Sequence, residues 1–148
     1  MNNGGEVRHA IIFDMTSFAL LFTLAAIGIS ETSYLIRKRI ALERPVCPIG
    51  GNCVTVLNSR WSRMFLVPND VLGLLFYVSV SFLSAFLVIG LEPISFWQSI
   101  MKASVLFGSV FSAFLFYLQW KVIRAWCFWC VMSAITIWLM GLIILLSK

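Results

Sequence analysis

Charge is what this sequence has least of. Asp, Glu, Lys and Arg make up only 11% of its 148 residues, where a soluble domain carries roughly 25%. Such a chain cannot clothe a water-facing surface, so a soluble catalytic domain is excluded. It has one histidine, His9, and four cysteines. Neither G-x-G-x-x-G nor a P-loop occurs, which leaves no nucleotide-binding turn. No small-residue cleavage site follows a short apolar stretch near the N-terminus, so the first apolar run is expected to remain as a span.

What is present is apolar: 61% hydrophobic residues and a mean hydropathy of +0.97. The fold class expected is an all-α integral membrane protein, one domain over residues 1–148. Lipid hydrates no backbone, so each crossing must be a helix, and about 20 apolar residues suffice. Four segments qualify, at about 11–35, 71–91, 103–123 and 126–146. Small residues inside them, such as Gly28, Ser84, Gly108 and Ser112, let helices approach closely. The reading is a four-transmembrane-helix bundle. The net charge of +5 requires no nucleic-acid partner, because basic residues at span ends account for it.

One connection is long, residues 37–69. It begins basic, continues through the turn-forming CPIGGNC, and ends in VTVLNSRWSRM. There Val54, Leu57, Trp61 and Met64 share one helical face. A surface half-helix over the bundle is expected, lying on the membrane or closing the bundle mouth as a lid.

Alternation of four spans puts this loop and the 121–125 connection on one side. Cys47 and Cys53 therefore share a face with Cys127 and Cys130. A C-x-x-C in the first turn of a helix meets unpaired N–H groups and the positive end of the dipole, which favour thiolate. Either pair can close as a disulfide. Zinc is the alternative for four cysteines, but C-x5-C is a poor half-site and His9 falls on the opposite face. Haem attachment needs His after C-x-x-C, and Val131 stands there. Inert cysteines would scatter through the spans, which these do not. Electrons leaving a dithiol here need an acceptor, and the simplest is a quinone entering from the lipid. Candidate lining residues are Phe76, Tyr77, Phe114, Phe116 and Tyr117, all of which also serve as ordinary core or lipid-facing aromatics.

In this order the motifs resemble those of the vitamin K epoxide reductase (VKOR) family. C-x5-C precedes Ser59-Arg60-Trp61; NDVLGLLFY resembles the family's Asn-x-x-x-Gly-x-x-x-Tyr; CFWC supplies C-x-x-C at the fourth span. The resemblance implies catalytic Cys47, Cys53, Cys127 and Cys130. Cys130 would be the thiolate that reduces the quinone, of the ubiquinone or menaquinone class. Cys127 would exchange with Cys53, and Cys47 would face a thioredoxin-like partner. That partner is expected to be separate, because no thioredoxin-like domain is fused. Asn69 would donate to a quinone carbonyl, against a plain N-cap role after Pro68. Ser59 would steady the half-helix, against a plain polar-face role. No metal is implied. Ala134 stands where vertebrate members carry Tyr, which argues for the prokaryotic, disulfide-generating role over epoxide chemistry. The competing reading is a structural bundle stapled by a fixed Cys47–Cys53 bridge. Oligomeric state is not legible.

Eight basic residues lie on the cysteine side and three, Arg8, Lys102 and Lys148, on the other. The positive-inside rule then puts the cysteine face in the cytoplasm. That is opposite to the family's usual arrangement, and it fits organisms with disulfide-rich cytoplasmic proteins.

Overall fold

The computed structural model describes residues 3–64 and 66–147, with side chains from Asp14 onward. Four helices are long and apolar enough to cross a membrane. Helix α1 runs over Asn3–Ile40, α3 over Asn69–Ile89, α4 over Ile94–Tyr117 and α5 over Phe128–Leu146. The chain is a multi-pass helical membrane protein. Arg8 and His9, assigned to the far face from sequence, have side chains outside the described part.

Several boundaries differ from the expected ones. α1 continues through Arg37, Lys38 and Arg39. Its spanning part, Asp14–Ile40, has 27 residues, about 40 Å of helix at 1.5 Å per residue. That exceeds the roughly 30 Å of hydrocarbon, so the basic turn emerges at the interface. The third span begins at Ile94 rather than 103, which moves Lys102 from a connection into α4. Its start follows a tight stop. Gly90 takes a left-handed conformation (φ 76°), and the N–H groups of Gly90 and Leu91 both reach the carbonyl of Phe86 at 3.1 Å. This is the usual glycine helix stop. The fourth span begins at Phe128, with Cys127 just outside it in extended backbone.

The half-helix is shorter than its periodicity predicted. Helix α2 covers only Cys53–Leu57. Ser59 then turns extended (φ −68°, ψ 154°), and its Oγ donates to the Val56 carbonyl at 2.7 Å. Such local side-chain bonds compete with helix continuation. A 3-10 turn, Arg60–Ser62, follows. A two-stranded hairpin comes next, pairing β1 (Arg63–Met64) with β2 (Val67–Pro68), Arg63 opposite Pro68.

α1 and α3 make the most extensive helix pair, and the reason is a glycine. A Cβ on Gly28 would fall on the Tyr77 ring. Tyr77 is fully buried, and its hydroxyl pairs with the Ser133 hydroxyl at 2.7 Å while donating to the Ser133 carbonyl at 2.9 Å. One side chain thus joins α1, α3 and α5. Leu21, Ala25, Val80, Met101, Val105 and Met140 complete the core below it.

Candidate redox site and its cavity

The four cysteines meet at the end where α1 and α4 finish and α3 and α5 begin. Cys47 and Cys53 form a disulfide with Cα atoms 6.3 Å apart. Cys53, Val56 and Cys127 make a small buried cluster, with Cys47, Cys130, Phe128 and Trp129 packed against it. Pairs about eighty residues apart in sequence are therefore neighbours in space.

Three local devices hold them there. Past Tyr117 the chain widens into a π-helical turn, Leu118–Ile123, and Arg124 then reverses it in a left-handed conformation (φ 54°). This turn buries Gln119, whose Oε1 accepts the Cys127 N–H at 3.1 Å. The Cys127 carbonyl accepts the Val131 N–H at 3.0 Å, so both backbone groups of Cys127 are fixed. The loop is held through Val46. Its carbonyl accepts Trp129 Nε1–H at 2.8 Å, and its N–H donates to the Tyr34 hydroxyl at 3.1 Å. The Tyr34 and Trp129 rings pack 4.5 Å apart. Gly51 completes the fit, since a Cβ there would stand 2.7 Å from the Trp126 carbonyl oxygen.

Cys127 and Cys130 are both free thiols. The Cys130 thiol donates to Cys127 Sγ at 2.7 Å. That bond, more than the backbone N–H groups of Trp129 and Cys130, holds the Cys127 pKa below the usual cysteine value, against the opposing effect of burial. The direction of that shift favours charge on Cys127, whereas the resemblance gives the thiolate to Cys130. The reason is placement. Cys127, ahead of the first turn, receives the N–H groups and the neighbouring S–H, while Cys130 is the donor.

Beside the cysteines opens a cavity of about 840 Å³. Phe76, Phe111, Leu115 and Ile137 form apolar walls, and Cys130, Ser133 and Ala134 border it from α5. Ser59 and Asn69 border it from the loop and from α3. Asn69 is not an N-cap: Pro68 holds that position without a side-chain bond. Instead Asn69 Nδ2 donates to the Trp61 carbonyl at 2.9 Å, tying the half-helix to α3, and its Oδ1 is buried without a partner. Next to it, Asp70 pairs with Arg39 at 2.8 Å.

Tyr77 and Phe114 do not reach the cavity wall. The Tyr77 hydroxyl is committed to Ser133. On α4 the wall is made at Phe107, Phe111 and Leu115, one face at four-residue spacing. Phe114 lies off that face and is exposed, as is Tyr117. Phe116 does border the cavity and packs edge-on against Trp126 and Trp138 at 5.3 and 5.5 Å. Sequence reasoning missed Gln119, Trp129, Asp70 and Glu31. Only Glu31 carried a signal, as an ionisable residue inside an apolar span. Among the described residues, no group of three His, Cys, Asp or Glu side chains could hold a metal ion.

Known proteins share this pattern. The chain is 33% identical over 110 residues to the thiol-disulfide oxidoreductase LTO1 of Arabidopsis thaliana. The match covers 70% of this chain but 29% of that longer relative. Residues 19–145, nearly all of the bundle and every cysteine, match the Vitamin K epoxide reductase family, and with that extent of agreement the chain belongs to this family.

Proposed function

We propose that the protein is a membrane thiol:quinone oxidoreductase. It takes electrons from a thioredoxin-like partner through Cys47–Cys53, passes them to Cys127–Cys130, and delivers them to a quinone, so generating disulfides. The observation that carries this reading is one packed cluster holding both cysteine pairs, with Cys130 on the wall of an apolar cavity.

The cavity suits a quinone ring. Phe76 and Phe111 offer flat apolar walls. Asn69 has a second amide hydrogen beyond the one given to Trp61, and its unpartnered Oδ1 can accept from a hydroxyl. A bound quinone would supply a two-electron, two-proton acceptor, of the ubiquinone or menaquinone class. Ser59 supports the site by holding the end of α2 at Val56.

The cysteines then work in order. A partner thiolate attacks Cys47, and Cys53 leaves as thiolate. Cys53 attacks Cys127, to which it is packed, and so opens a Cys127–Cys130 disulfide. A second partner thiol attacks the partner–Cys47 bond and frees Cys47, which attacks Cys53 of the Cys53–Cys127 bond; this closes Cys47–Cys53 again, releases Cys127 as thiolate and leaves a reduced C-x-x-C. As the Cys127–Cys130 bond forms at the cavity wall, both electrons and the remaining thiol proton would leave the pair for the quinone.

The deciding experiment follows quinone reduction by the purified, dithiol-reduced protein in detergent, beside Cys130→Ala. Rapid loss of quinone in the parent and none in the variant is expected. A folded parent that reduces no quinone leaves only a stapled bundle.

We place the cysteine face in the cytoplasm. Arg37, Lys38 and Arg39 end α1, and Lys121 lies in the α4 extension on the same side. A reporter fused to the C-terminus should then read outside the cytoplasm, and a cytoplasmic signal would reverse the assignment.

A further inference from the structure

Glu31 is an ionisable cavity residue that the relay leaves without a task. It lies on α1, within the spanning part. The residue is 8% exposed, and it borders the same cavity as Cys130 and Asn69. Its Oε2 is buried and has no hydrogen-bond partner. Two cations on the cavity lining are engaged elsewhere, Arg39 with Asp70 at 2.8 Å and Lys38 with Glu43 at 2.6 Å. Asp70 on α3 and Cys130 on α5 face the cavity, Tyr77 lies buried beside it, and α4 contributes no charged side chain to the wall. An unpaired carboxylate in such a place is costly, whereas a neutral carboxyl is tolerated. An ionisable group kept inside a span at that cost is a functional candidate.

The chemistry of the cavity requires such a group. Reduction of a quinone to a quinol consumes two electrons and two protons. Formation of the S–S bond in the reduced pair supplies both electrons, and a pair that enters the step as one thiol and one thiolate supplies one proton. One proton is missing. We propose that Glu31 is the internal acid that supplies it. Its carboxyl O–H bond breaks towards a quinone oxygen, and the resulting carboxylate regains a proton from water at the open end of the cavity. This inference rests on the thiol:quinone reading and assigns the proton source of that same site.

The test compares the parent with Glu31→Gln, which is nearly isosteric, and Glu31→Asp, which keeps a shortened acid. Infrared difference spectra, with and without a short-tailed quinone, should show a neutral carboxyl band in the parent that shifts on binding and is absent from Glu31→Gln. In single-turnover work, Glu31→Gln should slow oxidation of the C-x-x-C dithiol by quinone about 100-fold or more, the range of general-acid catalysis. Exchange between the two cysteine pairs should keep its parental rate. Glu31→Asp should fall between the two, and added formate should restore part of the Glu31→Gln rate. A parent without the carboxyl band overturns the proposal. So does a Glu31→Gln rate equal to the parent's, or an equal loss in both steps, which marks a merely structural role. A parent that reduces no quinone removes the underlying reading as well; an active parent indifferent to Glu31→Gln removes this proposal alone.

Discussion

Replacing Gln119 with leucine probes how the π-helical turn sets up the redox pair. Gln119 is 5% exposed, and its Oε1 is the acceptor for the Cys127 N–H at 3.1 Å. Leucine has similar bulk and no acceptor. A buried N–H left without a partner costs about 1–3 kcal/mol. Water cannot easily replace the amide, because Cys127 is fully buried among Val56, Cys53 and Phe128. If the whole cost falls on the docked position of Cys127, the exchange-competent population drops by about 5- to 150-fold. The assay is single-turnover exchange between a reduced Cys47/Cys53 pair and an oxidised C-x-x-C, read by alkylation and mass. Gln119→Glu is the control. It keeps an acceptor, so docking should persist, but its negative charge should move Cys127 titration upward. A Gln119→Leu protein that exchanges at the parental rate with unchanged thermal stability would refute the reasoning, because the bond would then position nothing.

Gly28→Leu should destabilise the bundle in detergent by at least about 1–3 kcal/mol, the usual cost of overpacking, since its side chain would displace the clamped Tyr77 ring; thermal unfolding reads this, and Gly50→Ala, with open space around its Cβ, should lack any such clash and show only the strain of its positive φ. Cys130→Ala removes the S–H that donates to Cys127. Because that donor favours the charged form, the thiolate absorbance of the reduced variant should appear at higher pH than in the parent, and an unchanged titration would contradict the assigned cause. Arg39→Met leaves Asp70, whose side chain is 6% exposed, without its cation. A loss of about 3 kcal/mol is expected, the low end for breaking a buried pair, because Arg39 is itself partly solvated; Asp70→Asn in the same background should recover much of it.

The spans were legible because lipid imposes a length and a composition on each crossing, and alternation then fixed which loops share a side. That count alone put both cysteine pairs on one face, and their packing together came from the structure. The start of the third helix was not legible, since Ser95, Gln98, Ser99 and Lys102 dilute its apolar signal. The half-helix misled because Val54, Leu57, Trp61 and Met64 satisfy helical spacing whether or not the chain stays helical. A serine bonding to its own backbone decides that question, and periodicity is blind to it. Phe111 and Phe114 look alike in sequence, and only the phase of α4 against its neighbours separates cavity wall from exterior. Gln119 gave no warning, because a π-helical turn has no composition of its own.

The hold on Val46 from both sides, by Tyr34 on α1 and Trp129 on α5, works as a leash. Two thiol pairs on separate molecules would meet at a rate set by their concentration. Here the residue before Cys47 is moored to the helix that carries Cys130, while Ile49 and Gly50 on the other side of it stand exposed. Opening the disulfide therefore frees the far arm of the loop without releasing the near one. On the proposed relay, exchange becomes an intramolecular event at high effective concentration, with the same rate in a crowded membrane as in a dilute one, and only the encounters with the external thiol and with the quinone are left for dilution to slow.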